Sequence, residues 1–183
     1  MTINFSGETD YNFDFDGEKL GREIVNAVLD HYDFPYEACV DITITDSDGI
    51  REINLESRQM DSPTDVLSFP MIEYSSPADF SGIEDQIAVF DPDSGEAILG
   101  DIVLNADRIV SQSEEYGHSV KREYAFLITH SILHLLGLQH GQPVGHGKLL
   151  DGAGLQHVMM AAHCLVRHCH HAHHVISLVH QLL

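Results

Sequence analysis

Apolar residues recur along the chain in two rhythms, one helical and one alternating. Leu20, Ile24, Val28 and His31 or Tyr32 fall at helical spacing, which predicts a helix over 17–32. Val40, Ile42 and Ile44 alternate with other residues and predict a strand over 38–45. Asp46-Ser47-Asp48-Gly49 is turn chemistry, and Ser47 or Asp48 is placed to cap a following helix that carries Ile50, Ile53, Asn54 and Arg58. Pro63 and Pro70 bracket a short strand from Asp65 to Phe69, and a polar loop over 74–85 follows. Further strands are expected within 2–6, over 87–90 and over 99–104, the last carrying Asp101 in an apolar setting that looks buried. Helices are expected over 106–116 and 120–136, with Tyr124, Leu127, Ile128, Ile132 and Leu135 on the core face of the second. Strands and helices interleave. The expected fold class is α/β (α+β): a single domain, a small mixed sheet of about four strands packed with helices, and a metal site at the end of a helix.

Composition narrows this picture. A chain of 183 residues with 43% hydrophobic and 21% charged positions is long enough for one domain with a real core. No apolar run reaches the length of a membrane span, and residues 1–16 are acidic and lack the pattern of a secretory signal, so no membrane and a cytoplasmic location are expected. Three irregularly spaced cysteines argue against a disulfide framework, and Cys39 reads as an inert core residue. The formal net charge is -20, which repels nucleic acid at long range, so an RNA-directed function needs a local basic patch or a metal.

The candidate chemistry is concentrated in His130-x3-His134-x2-Gly137-x2-His140. On a helix, residues four apart lie on one face, so two imidazoles reach one ion. Gly137 offers a helix stop, past which the chain can bring His140 back. Three imidazoles with an open fourth position are a catalytic zinc set; nickel or another divalent transition metal also suits such ligands. Zinc proteases place a glutamate after the first histidine, where this chain has Ser131, so peptide hydrolysis lacks its base. Among other residues, Arg58 suits a phosphate clamp or a surface pair with Glu56 or Asp61. Asp65 and Asp101 suit a general base, an acceptor for a ligand imidazole, or a turn or strand-edge cap. His118 assists chemistry or simply completes a Gly-His-Ser turn.

Three segments together resemble the YbeY family of metal-dependent endoribonucleases. They are Asn54-x3-Arg58-x2-Asp61-x-Pro63-Thr64-Asp65-Val66-Leu67-Ser68-Phe69-Pro70, then Leu99-Gly100-Asp101-Ile102, then Glu115-Tyr116-Gly117-His118-Ser119 running into the three histidines. The resemblance implies a zinc-like ion on His130, His134 and His140, a functional arginine at Arg58, and a single-strand-specific endoribonuclease. It further implies action in late ribosomal RNA maturation (the 16S 3' end) and ribosome quality control, with RNA as substrate and the small ribosomal subunit and ribosome-associated proteins as partners. The chain departs from the family in Ser131 for glycine and Leu138-Gln139 for Tyr-Asp. Other readings are a metal hydrolase of a different substrate and a non-catalytic, ribosome-associated metal-binding protein.

The chain divides near residue 140. Residues 1–140 form the expected hydrolase domain and hold 28 of the 29 acidic residues. Residues 141–183 hold nine histidines and one acidic residue, Asp151. So abrupt a shift suggests a frameshifted reading or an unusual extension, with adventitious metal binding by its histidines and Cys164 and Cys169.

Overall fold

The computed structural model describes residues 1–7 and 11–138. His140 and the segment 141–183 lie outside the described residues. The elements in chain order are β1 (Thr2–Gly7), α1 (Gly17–His31), β2 (Ala38–Thr45), α2 (Ser47–Arg58), β3 (Val66–Pro70), two short 3-10 turns (Ile83–Asp85 and Ile87–Val89), β4 (Ala97–Asn105), α3 (Ala106–Tyr116) and α4 (Val120–Leu135). The four strands form one mixed sheet in the order β1-β2-β4-β3. β1, β2 and β4 run parallel, and β3 is the antiparallel edge. The mixed α/β sheet of four strands is as the periodicities predict.

Alternation along the strands divides the sheet into two faces. Val40, Ile42, Ile102 and Leu104 enter one buried cluster with Leu20, Ile24 and Val28 of α1 and Tyr124, Leu127, Ile128, Ile132 and Leu135 of α4. Tyr124 is fully buried and its hydroxyl donates to the Gly17 carbonyl at 2.9 Å, tying α4 to the start of α1. The opposite face carries a smaller cluster, in which Val103 and Leu67 meet Ile50 of α2.

Four expectations are corrected. Residues 87–90 do not form a strand: Ile87–Val89 is a 3-10 turn, and Phe90 makes a single bridge to Ala97. The amides turn inward instead, Val89 N–H to the Gln86 carbonyl and Phe90 N–H to the Ile87 carbonyl, so they are not free to build a ladder. The cap of α2 is Asp46, one residue earlier than expected, accepting from the Gly49 amide at 2.8 Å. Asp101 is exposed, because alternation turns it away from the cluster that holds Ile102. Cys39 is half-buried rather than core, and burial, with Asp41 beside it, pushes its thiol pKa up and keeps it unreactive.

One backbone position controls how the edge strand joins. β4 is irregular between its pairings with Cys39 and Val40, and Gly100 there holds φ 132. A Cβ at Gly100 would stand 2.0 Å from the Phe69 carbonyl oxygen. Gly100→Ala should therefore strain β4 and push β3 off it, lowering unfolding free energy by more than about 2 kcal/mol in a denaturant titration. A loss below about 0.5 kcal/mol would show that the close approach is not needed.

Candidate metal centre

α4 begins at a break. Gly117 (φ 68) ends α3 with a Schellman pair of bonds, His118 N–H to the Ser113 carbonyl and Gly117 N–H to the Glu114 carbonyl. Ser119 then caps α4 by accepting from the Arg122 amide at 3.2 Å. The far end closes in the same way. Gly137 (φ 77) donates to the His134 carbonyl at 3.0 Å, and Leu138 donates to the Leu133 carbonyl at 2.9 Å. The helix stop expected at Gly137 is in place.

Between these ends, half-buried Phe126, His130 and His134 form one stripe along α4. The Phe126 ring lies nearly parallel to His130, with centroids 6.0 Å apart. The two imidazoles meet edge to face, and their Nε2 atoms are 3.1 Å apart. Two nitrogens bound to one tetrahedral zinc, each at about 2.0–2.1 Å, stand about 3.3 Å apart. The pair therefore fits two ligand positions on one ion with a few tenths of an ångström of adjustment. Among the described residues no group of three His, Cys, Asp or Glu side chains converges; His140 is not among them.

The other candidate residues are spread around β3. The antiparallel register sends every second backbone group of β3 to β4, as the Asn105 amide to the Asp65 carbonyl (2.9 Å) and the Met71 amide to the Leu99 carbonyl (2.9 Å) show. Val66 and Ser68 thus turn their backbone groups to the outer edge. Asp65 caps that edge: its carboxylate accepts from the Val66 amide at 2.8 Å and from the Thr64 hydroxyl at 3.1 Å. Arg58, the last residue of α2, donates to the Ser68 carbonyl at 3.4 Å, with its guanidinium 5.9 Å from the Phe69 ring centroid. It does not pair with Asp61, which Arg51 holds at 2.6 Å. β3 packs against both α2, which ends at Arg58, and α4, which carries the histidine pair. Asp101 lies on the α2 face of the sheet, level with Asp41 and Phe69, and so points away from α4. Crowding by burial and by Asp41 raises its pKa. Ser131 is fully buried, and its hydroxyl makes no hydrogen bond among the described residues, so it presents no base.

Glu123 is a residue that the periodicity did not single out, although it sits seven residues before His130 on a similar face of α4. It is 3% exposed, and its carboxyl meets His118 Nε2 at 3.0 Å. His118 Nδ1 lies 3.3 Å from the Ser119 carbonyl, a geometry that suits the tautomer protonated at Nδ1. Burial raises the Glu123 pKa to about 7, Asp65 adding to the rise and Arg122 opposing it. His118 is thus the partner of a buried acid.

The family model of Endoribonuclease YbeY matches residues 4–150. The chain is 53% identical over 141 residues to Endoribonuclease YbeY of Agathobacter rectalis, covering 76% of this chain and 86% of that relative. It is 50% identical over 141 residues to the protein of the same name from Lachnoclostridium phytofermentans, with the same shares covered. The solution structure of TM1509 from Thermotoga maritima matches 97% of this chain and 89% of that one, with a TM-score of 0.51 and 19% identity, which bears on the fold alone.

A raised folded-state pKa makes the Glu123 contribution to stability complete below its unfolded value and lost as pH climbs through about 7. Between pH 5 and pH 8 the wild type should lose roughly 2 kcal/mol relative to Glu123→Gln. Urea titrations at both pH values check this; a gap that does not change with pH would mean that Glu123 ionises freely.

Proposed function

The chain belongs to the YbeY endoribonuclease family, and on that footing we propose that it cleaves single-stranded RNA with a zinc-like ion held by His130, His134 and His140. The observation that carries this reading is the approach of the first two Nε2 atoms to 3.1 Å on a helix whose rotation is fixed by the core. When bound, such an ion acidifies water and polarises a phosphoryl oxygen. Nickel or another divalent transition metal would serve the same ligand set.

The protein's own groups then divide the remaining work. Arg58 presents a planar fork at the outer edge of β3, suited to two oxygens of one phosphate. Because Asp61 is already held by Arg51, it does not compete for that fork. The fork also supplies local positive charge on a chain of formal net charge -20. Asp65 is the carboxylate nearest this edge that also influences α4, through Glu123. It is our candidate for accepting a proton or orienting a ligand imidazole, with strand-edge capping as its resting role. Asp101 is not carried forward, because the sheet separates it from α4. The substrate is ribosomal RNA in late maturation, and the proposed setting is the cytoplasm beside the small ribosomal subunit. No helix among the described residues is long and apolar enough to cross a membrane.

Cleavage of a fluorescent single-stranded RNA tests this directly. Chelation should abolish activity and added zinc should restore it. His134→Ala should lose at least about 100-fold in kcat/KM. Arg58→Ala should lose roughly 10- to 100-fold through one charged phosphate contact, and Arg58→Lys should recover only part. Full activity in His134→Ala would contradict the proposal.

A further inference from the structure

The outer side of β3 is a sheet edge on which the hydrogen-bonding ladder is blocked around a single gap. Val66, Ser68 and Pro70 turn their backbone groups outward, since the residues between them face β4. An open edge ordinarily accepts another strand. Here the Asp65 carboxylate takes the Val66 amide at 2.8 Å, and the Arg58 guanidinium takes the Ser68 carbonyl at 3.4 Å. Pro70 has no N–H to give. What is left is the Val66 carbonyl and the Ser68 N–H, neither with a hydrogen-bond partner among the described residues. One acceptor and one donor stand side by side on extended backbone.

An antiparallel strand must bond both groups of each outward residue, and one of each is already taken. A parallel strand would gain the two bonds of one residue, then meet Asp65 on one side and proline on the other. The gap therefore suits a single rigid group that carries a donor beside an acceptor. An unpaired nucleobase has that pair on its Watson–Crick edge, an edge by which proteins read single-stranded RNA. A base in a duplex has the same edge occupied. The Arg58 guanidinium, suited to a phosphate, stands at this gap, and α4 with His130 and His134 packs on the same strand.

We infer that the edge of β3 reads one unpaired nucleobase of the RNA substrate, the Val66 carbonyl accepting from the base and the Ser68 N–H donating to it. The inference rests on the endoribonuclease reading and gives it a source of single-strand preference.

The test uses the zinc-loaded full chain and oligouridine in which a single N3-methyluridine is moved along the strand. The methyl group removes the N3–H donor and blocks that edge. At one position relative to the cut, KM should rise by about 10- to 100-fold, the worth of a paired base contact, with kcat held within about twofold. Ser68→Pro removes the outward donor where an edge strand tolerates proline. It should raise KM for the unmodified strand by a similar factor, and the methyl group should then matter little. If Ser68→Pro fails to fold, 4-thiouridine at the sensitive position decides. Its photo-crosslink should map within residues 66–69 by mass spectrometry, and a crosslink confined elsewhere would overturn the site. Equal kinetics for every methylated strand would overturn base reading and leave the endoribonuclease standing; inhibition of that cleavage by an extended peptide would give the gap to a strand instead. A wild type that cleaves none of the strands would overturn both readings.

Discussion

The burial of α4 is the constraint on which the rest depends. Ten of its sixteen residues are buried, so the helix has almost no freedom to rotate. Their apolar contacts with the sheet and α1 fix which narrow stripe is left half-buried. That stripe is Phe126, His130 and His134. Two imidazoles with a four-residue separation would converge on any helix, but only a packed one holds them against the same neighbours. The helix also has a defined end, since both of the hydrogen bonds of its Schellman turn form at Gly137 and Leu138. Core packing, a glycine stop and a histidine repeat thus serve one purpose at successive levels.

The surroundings answer the electrostatic difficulty posed by an acidic chain. A net charge of -20 opposes the approach of RNA, and screening at physiological salt limits that repulsion to roughly 8 Å. What matters is the charge within that range of the site. Arg58 reaches the outer edge of β3, and the helix that carries the histidine pair packs on the same strand. Burial raises the Glu123 pKa to about 7, which reduces the fixed negative charge that it adds below that pH. The sheet puts Asp41 and Asp101 on its other face, away from the histidines.

Much of this was legible in the sequence because it is local. The helical period of α1 and α4, the alternation in β2, and the glycine stop each depend on near neighbours in the chain. The approach of His130 and His134 was legible for the same reason, since four residues suffice to specify it. The failures are non-local. Residues 87–90 have strand-like composition, but whether they join a sheet depends on distant segments, and they reach β4 only through the Phe90–Ala97 bridge. Asp101 looked buried because its sequence neighbours are apolar, whereas exposure is set by which face each residue takes. Glu123 went unnoticed since a charge in the first turn of a helix ordinarily faces water. The contacts of Tyr74 with Gly137 and of Ala78 with Leu136 join residues about 60 positions apart, and no local pattern announces them.

The most direct measurement is an anomalous scattering map from crystals of the zinc-loaded full chain. The account predicts one strong peak about 2.0–2.1 Å from Nε2 of both His130 and His134. Zinc found only among the histidines beyond residue 140, with the α4 pair empty at saturating metal, would contradict it.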